Sequence, residues 1–191
     1  AYVAVLLVAS TVFYAWHVPI YILILLLSAG VDYMAAIMLG RVPAVAVVKR
    51  RWILAVSLGV NLGLLGFFKY ANLLTDAVVR SAGSLGYELA RPEVTLILPM
   101  GISFYTFQSM SYTIDVYRGI LQPIHSFKAF FLYIIFFPQL VAGPIVRSEH
   151  LLPQFSQRHY IDYDRITSGL RLMAWGFFKK VVIADRIAPI V

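Results

Sequence analysis

The chain has 191 residues, of which 61% are hydrophobic and only 13% are charged. Soluble domains usually carry about a quarter charged residues, so this composition excludes an ordinary soluble domain, a disordered tail and a nucleic-acid-binding arm. The 16 basic and 9 acidic residues give a net charge of +7 and cluster between long charge-free runs. This arrangement indicates an all-α, multi-pass membrane protein. Cysteine is absent, which excludes disulfides and thiol catalysis within this stretch.

The first apolar run covers residues 1–31, which contain no charged side chain. A straight helix of that length would extend about 46 Å, whereas a hydrocarbon core is about 30 Å thick. We expect a break near Trp16 and Pro19, because Trp favours the membrane interface and Pro is tolerated in a first helical turn. The prediction is a short span to about Ala15 and a second span over 19–39.

A basic loop after the second span sets the predicted orientation. It carries four positive charges and no negative ones, at Arg41, Lys49, Arg50 and Arg51. By the positive-inside rule this loop is cytoplasmic. A third span is predicted over 52–70. Its Gly59 and Gly63, with Asn61 between them, indicate either a close helix contact or simply the glycine content of membrane helices.

Two further apolar stretches complete a predicted bundle of about five membrane segments. The intervening loop, 72–93, has no excess of positive charge and is assigned to the outer side. Residues 94–114 are free of charge, and so are residues 129–146. The second stretch contains two prolines and a glycine, so we expect a broken or re-entrant segment rather than a straight helix.

Residues 164–188 form a predicted basic amphipathic helix, with Asp162 or Asp164 as its N-cap. Its apolar arc contains Ile166, Leu170, Met173, Phe177 and Val181. The helix either turns its basic half toward lipid headgroups or presents a solvated polar face. No internal repeat is present, so residues 1–191 are predicted to be a single membrane domain.

A polar side of the segment 99–119 is the first candidate functional surface. On a helix, one side would hold Gly101, Gln108, Ser111, Tyr112 and Asp115. Polar groups inside lipid are costly, so this stripe is either the wall of a polar passage or interhelical hydrogen bonding. Arg118 lies three residues after Asp115, a spacing that also permits an ion pair at the cytoplasmic edge.

The second candidate surface follows the fifth apolar stretch, where prolines and a glycine free backbone groups. Its residues are Pro138, Gln139, Gly143 and Pro144, and they indicate either a structural bend or the wall of a substrate path. The four histidines, at 17, 125, 150 and 159, are predicted to be surface or interfacial. From the residues alone we find no catalytic constellation and no metal site.

Both candidate surfaces resemble motifs of the membrane-bound O-acyltransferases. The motifs are LPMGISFYTFQSMSYTIDVYRG at 98–119 and FFPQLVAGPIVR at 136–147. Further likenesses lie at 10–16, 66–72 and 176–185, so the resemblance covers essentially the whole chain. The branch that acetylates bacterial alginate is the nearest likeness. The chain begins inside an apolar run and ends without a polar tail, and we read it as the N-terminal part of a larger domain of this type.

This resemblance implies a many-helix fold around a funnel and tunnel in the bacterial inner membrane. An acyl group from a cytoplasmic donor, expected to be acetyl-CoA, would cross the membrane toward an exported polysaccharide. An extracytoplasmic partner protein would take part in the transfer, and no bound cofactor is expected. The alternatives are a transporter or channel, or a family member that transfers D-alanine to teichoic acid or acetylates peptidoglycan.

The resemblance carries over only to residues inside the two motifs. In the first these are Gln108, Ser109, Tyr112, Asp115 and Arg118, and in the second Pro138, Gln139, Gly143, Pro144 and Arg147. We assign them to tunnel wall and helix packing. The family's intramembrane histidine would lie downstream, so no catalytic residue is expected in this chain, and the fragment alone is expected to be inactive. Outside the motifs, Lys179, Lys180 and Arg186 are candidates to bind anionic lipid or donor phosphates.

Overall fold

The computed structural model describes residues 2–16, 18–87, 99–140, 143, 146–157 and 160–188. All regular secondary structure in these ranges is helical, which confirms the predicted all-α class. The helices are α1 Tyr2–Ala15, α2 Tyr21–Arg41, α3 Val47–Ser84, α4 Ile102–Arg118, α5 Phe127–Ile135, α6 Phe137–Leu140, α7 Ser148–Ser156, α8 Tyr163–Phe177 and α9 Asp185–Ile187. A π-helical segment, Phe178–Ala184, joins α8 to α9.

Two of the described helices are long and apolar enough to cross a membrane, namely α2 with 21 residues and α3 with 38. At 1.5 Å per residue, α2 extends about 32 Å and α3 about 57 Å, against a hydrocarbon core of about 30 Å. The shorter apolar helices are α1 and the pair α5–α6, which spans Phe127–Leu140. The count of five membrane segments therefore stays a prediction.

Helix α3 is longer than the sequence indicated. The predicted loop from residue 72 is wrong as far as residue 84, because the helix continues to Ser84. The predicted span over 52–70 lies within this helix, and its membrane boundaries stay a prediction. No proline or glycine interrupts residues 67–82, so nothing in the backbone stops the helix earlier. It ends where Gly86 takes a positive φ of 82° and the Tyr87 N–H donates to the carbonyl of Ala82. The rest of the predicted loop, from residue 88, lies outside the described residues.

Helix α4 begins later than predicted, at Ile102, and residues 94–98 lie outside the described part of the chain. Gly101, assigned to the polar stripe of the helix, instead precedes it with a left-handed φ of 71°.

Helix α7 was not predicted, since residues 148–156 read as a polar connector that contains Pro153. The predicted break in the fifth apolar stretch is confirmed, because α5 ends at Ile135 and the chain bends at Phe136.

The contacts divide the chain into two compact units, Ala1–Ser156 and Gln157–Val191. In the first unit, α4 packs against α2 and α3, while α5 packs against α1 and α7. Fully buried aromatic side chains fill the junction between α4 and α5: Tyr105, Tyr112, Phe130 and Tyr133. The rings of Tyr112 and Phe130 lie 4.7 Å apart. The single-domain assignment stays a prediction.

Arg50 ties three helix ends together in the first unit. From the first turn of α3, its guanidinium donates to the carbonyls of Leu39 and Val42 at the end of α2, at 2.6 and 3.0 Å. It also donates to the carbonyl of Tyr117 at the end of α4, at 2.8 Å. Terminal helix carbonyls lack an intrahelical partner, so a cation here stabilises both ends. Arg118 therefore lies at the same end of the bundle as the basic loop.

The second unit confirms the extent of the predicted amphipathic helix. The helical segment runs from Tyr163 to Ile187, and the Asp162 carboxylate caps it by accepting from the Asp164 N–H at 3.2 Å. None of its described residues is buried. The π-helical turns after Phe177 are wider than α-helical turns, so the predicted apolar arc does not extend with the same phase to Val181.

Candidate functional site

A buried polar centre joins α2, α3 and α4. The carboxylate of Asp32, fully buried in α2, accepts hydrogen bonds from Ser57 and Asn61 of α3. The Asn61 amide reaches both carboxylate oxygens, at 2.8 and 2.9 Å. From α4, the Ser109 hydroxyl also donates to the carboxylate. One side chain thus accepts hydrogen bonds from two neighbouring helices.

Helical spacing explains why these groups meet. In α2, Ser28 lies four residues before Asp32, and in α3, Ser57 lies four residues before Asn61, so each pair shares one helix face. The Ser28 hydroxyl completes the network by donating to Oδ1 of the Asn61 side-chain amide at 2.7 Å. Of the two interpretations of Gly59 and Gly63, the close helix contact does not occur within the described chain, because a Cβ added at either would meet nothing within 4 Å. The contact between α2 and α3 at this level is instead made by the Asn61 side chain, through its hydrogen bonds to Ser28 and Asp32.

Sequence reasoning did not single out Asp32, although a signal was present. Asp32 is the only acid in the 21 residues of α2, and an ionisable group inside a membrane segment is a functional candidate by default. All of its partners in the described chain are uncharged donors. The centre therefore holds three helices in one register, and among the predicted site residues it involves only Ser109.

A second polar centre lies at the break between α5 and α6. The Tyr133 carbonyl accepts from the side-chain amides of Gln108 and Gln139, at 2.7 and 2.9 Å. In a continuous helix the Tyr133 carbonyl would accept a hydrogen bond from the Phe137 N–H, four residues later. Here the Phe137 N–H instead donates to the Ser10 hydroxyl of α1 at 3.4 Å. The break thus frees a buried carbonyl, and the two glutamines satisfy it.

The chain after the break approaches its own backbone closely. The Gly143 N–H donates to the Gln139 carbonyl at 3.0 Å. A Cβ added at Gly143 would lie 2.5 Å from the Gln139 Cα, which excludes any larger residue without movement of the backbone. Pro138 is exposed at the bend, and Pro144 lies outside the described residues. These contacts favour the interpretation of this motif as a structural bend.

A cavity of about 300 Å³ lies between the end of α4, the following loop and α7. Its polar lining comes from Tyr112, Gln122, Ser148 and Glu149. The Tyr112 hydroxyl accepts from the Ile124 N–H at 2.8 Å. Ser148 is fully buried, and its hydroxyl has no hydrogen-bond partner in the described chain. A space of this size with a few polar side chains in its lining is within the range of small-molecule sites.

The remaining residues of the two motifs lie nearer the surface. Asp115 is half-buried and Arg118 exposed, and no ion pair between them occurs in the part of the chain that the structure describes. Arg147 is exposed, with its guanidinium 4.0 Å from the Glu149 carboxylate. The structure therefore brings Gln108 and Gln139 to one carbonyl and Tyr112 to the cavity. It does not gather the nine described residues of the two motifs into one site.

The basic residues of the second unit already have local contacts. Lys180 forms an ion pair with Asp185, and the ammonium of Lys179 lies 5.4 Å from the centre of the Trp175 ring. Arg186 is exposed. Exposed ion pairs contribute little, so all three side chains remain accessible to an anionic headgroup.

The histidines do not form a reaction centre in the described ranges. His125 and His150 are exposed, and the His150 ring lies 3.6 Å from Glu149. His17 and His159 lie outside the described residues. No group of three His, Asp or Glu side chains placed to hold a metal ion occurs in the ranges that the structure covers.

Comparison with known proteins identifies relatives along nearly the whole chain. The probable alginate O-acetylase AlgI of Pseudomonas aeruginosa is 39% identical over 97% of this chain, and that of Pseudomonas putida is also 39% identical over 97%. The peptidoglycan O-acetyltransferase of Helicobacter pylori is 35% identical over 96%. No protein-family model matches the chain. No solved structure matches it either.

These relatives confirm the resemblance of the chain to the membrane-bound O-acyltransferases. The chain covers 35%, 38% and 38% of the lengths of the three relatives, so it spans little more than a third of each. Together with the two long apolar helices, this relationship assigns the chain to a membrane protein.

Proposed function

We propose that the complete protein is a multi-pass O-acetyltransferase of the bacterial inner membrane. It moves an acetyl group from cytoplasmic acetyl-CoA toward an exported polysaccharide, with an extracytoplasmic partner protein at the acceptor side. The observation that carries this proposal is the 39% identity to a probable alginate O-acetylase over 97% of the chain. The complete protein is expected to supply its catalytic histidine from outside these 191 residues.

The structure supports two different roles within this part of the protein, helix packing at the two polar centres and donor binding at the cavity. The centres at Asp32 and at the Tyr133 carbonyl fix the helices against one another through buried hydrogen bonds. The cavity beside Tyr112 and Ser148 lies at the end of α4 that also holds the basic loop. By the positive-inside rule this end faces the cytoplasm, and we assign the cavity to the acyl-bearing end of the donor.

Peptidoglycan is the second candidate acceptor, because a peptidoglycan O-acetyltransferase is 35% identical over 96% of the chain. Mass analysis of envelope glycans from cells with and without the gene separates the two acceptors. We expect the deletion to remove ester-linked acetate from an exported polysaccharide and to leave peptidoglycan unchanged. Acetate lost from peptidoglycan alone would favour the second candidate, and D-alanine lost from teichoic acid would contradict both.

Gln108 gives a test of the second polar centre in the complete protein. Gln108→Leu removes one of the two amides that bind the Tyr133 carbonyl, so we expect lower acetyl transfer with unchanged membrane levels. Asp115→Asn, in the same motif, is expected to lower transfer in the same way. The matched control is Gln157→Leu, at an exposed glutamine. Unchanged acetylation in both variants would reduce the two residues to dispensable packing.

A further inference from the structure

An open apolar groove runs between α2 and α3, on the outside of the bundle. It has a volume of about 590 Å³. Its walls include Gly30, Met34 and Met38 on α2 and Trp52 and Val56 on α3. Several of these side chains are more than half exposed, among them Met34 at 55% and Trp52 at 66%. No other segment covers the groove in the part of the chain that the structure describes.

The length of the groove fits one leaflet of a bilayer. Its α2 wall extends from Leu27 to Met38, which is about 16 Å of helix at 1.5 Å per residue. A leaflet of a hydrocarbon core about 30 Å thick measures about 15 Å. A helix that crosses the membrane would need a groove about twice as long, whereas one lipid acyl chain needs only this length.

Two basic residues, Arg41 of α2 and Lys49 of α3, lie at one end of the groove. Each is on the helix face that lines the groove. Arg41 lies three residues after Met38, so it shares the groove face of α2. Lys49 lies three residues before Trp52 and seven before Val56, so it shares the groove face of α3. Both side chains are exposed. Neither belongs to an ion pair found in the described chain. No acid occurs between residues 33 and 75 to neutralise them.

This end of the groove has the composition of a membrane interface. Trp52 is an exposed aromatic residue of the kind enriched at headgroup level. Arg50, from the same turn of α3, binds the carbonyls that end α2 and α4, so its charge is already engaged. Arg41 and Lys49 are left to meet the headgroup region, where anionic lipids concentrate on the cytoplasmic leaflet.

We propose that the groove between α2 and α3 binds an anionic phospholipid, with one acyl chain along Met34, Met38 and Val56 and its phosphate held by Arg41 and Lys49. The apolar wall selects a lipid over a free phosphate, and the two cations select an anionic over a zwitterionic headgroup. The site shares no residue with the cavity at Tyr112, and it does not depend on the proposed acetyl transfer.

Native mass spectrometry of the complete protein, purified in detergent, tests this site. The protein is released from detergent with equal amounts of phosphatidylglycerol and phosphatidylcholine of matched chain length. We expect the wild type to retain phosphatidylglycerol preferentially. The preference of the Arg41→Gln/Lys49→Gln variant should fall by about 25-fold, because each of the two basic residues near a headgroup contributes about fivefold. The control, Arg51→Gln/Lys69→Gln, removes the same charge elsewhere on α3 and should retain the preference.

A second pair of variants tests the acyl-chain groove. A Cβ at Gly30 or at Gly63 would meet nothing within 4 Å, so neither position excludes a side chain at its first atom. Of the two, only Gly30 lines the groove. Gly30→Leu is expected to lower retention of phosphatidylglycerol at least severalfold, and Gly63→Leu to leave it unchanged. Helical circular dichroism checks that each variant is folded.

Four outcomes would overturn the proposal. They are equal retention of the two lipids by the wild type, equal losses in the two charge variants, full retention in Gly30→Leu, and displacement of the lipid by glycerol phosphate, which has no acyl chain. A dimer that Gly30→Leu abolishes, and that added lipid does not affect, would assign the groove to a second copy of the chain instead.

Discussion

Asp32 shows how a single polar side chain organises an apolar bundle. Its carboxylate is fully buried and accepts from Ser57, Asn61 and Ser109, which come from two other helices. An apolar helix packs against its neighbours in lipid with little preference for rotation or register, whereas buried hydrogen bonds allow only one arrangement. Asp32 is therefore expected to contribute more to the specificity of packing than any apolar residue of α2.

Replacing Asp32 with leucine is expected to destabilise the chain strongly. The substitution leaves the buried donors of three side chains without their acceptor, and each unsatisfied group costs about 1–3 kcal/mol. We expect a loss of at least about 3 kcal/mol in the free energy of unfolding, and a smaller loss for Asp32→Asn, which keeps one acceptor oxygen. Denaturant unfolding in detergent, followed by circular dichroism, measures both.

The control for this prediction is Asp185→Leu. Asp185 is an exposed acid in the second unit and forms only a surface ion pair, which contributes about 0–1 kcal/mol. A comparable loss of stability in Asp185→Leu and Asp32→Leu would contradict the assigned role of Asp32.

Individual site residues were predicted unevenly from the sequence. Gln108 and Tyr112 stood out because a run of polar residues inside an apolar stretch is visible without a structure. Asp32 is a lone acid in its helix, and its importance depends on partners 25 to 77 residues away along the chain. Ser148 read as part of a polar connector, and only the packing of α7 shows that its hydroxyl is buried.

The break between α5 and α6 depends on residues from three separate parts of the chain. Gln108 and Gln139 satisfy the Tyr133 carbonyl, and Ser10 accepts from the Phe137 N–H. Pro138 supplies no backbone donor, so the helix loses a hydrogen bond at this place. The bend is thus held by side chains rather than left open to lipid, as buried irregular backbone requires.

Gly143→Ala tests how tightly the chain packs after this break. The added Cβ would lie 2.5 Å from the Gln139 Cα and 3.0 Å from its carbonyl oxygen, so the backbone must move, at a cost of about 1–3 kcal/mol. Gly59→Ala is the matched control, because a Cβ there meets nothing within 4 Å and alanine favours a helix by about 0.5–1 kcal/mol. Thermal unfolding is expected to show a lower midpoint only for Gly143→Ala. Equal midpoints in the two variants would show that the close approach is absent.

Arg50 links the ends of α2 and α4 and gives a test at the level of helix termini. Arg50→Gln removes charge-assisted hydrogen bonds to the carbonyls of Leu39, Val42 and Tyr117, which are worth about 1.5–3 kcal/mol each when fully formed. We expect faster hydrogen exchange in the last turns of α2 and α4. Arg51→Gln, at the neighbouring exposed arginine, should leave exchange unchanged, and equal acceleration in both variants would contradict the role of Arg50.

The elements were predicted well where hydropathy decides them and less well elsewhere. The first two helices, the break after α5 and the amphipathic helix follow directly from apolar runs, prolines and periodicity. The length of α3 was underestimated because a fall in hydropathy after Tyr70 was read as the end of the helix, although hydropathy reports burial in lipid rather than helical backbone. Helix α7 was missed because its nine residues contain Pro153, which ordinarily argues against a helix interior.

The first unit combines an apolar exterior with buried polar centres at Asp32 and at the Tyr133 carbonyl. Polar groups inside a membrane segment are candidates for a functional role. The chain nevertheless spans little more than a third of the relatives it matches. We therefore predict that the purified 191-residue chain does not transfer acetyl groups. Turnover above that of a heat-treated control would contradict this prediction and would place a complete reaction centre within these residues.

The acetyl transfer proposed for the complete protein can be tested directly in inside-out membrane vesicles, whose cytoplasmic face is accessible. Vesicles from cells with the gene, without it and with it restored are supplied with acetyl-CoA labelled in the acetyl group. The account predicts alkali-labile label on an envelope glycan in the first and third preparations and none in the second. Label on glycan that is equal in all three preparations, or absent from vesicles that contain the protein together with its acceptor and partner, would contradict it.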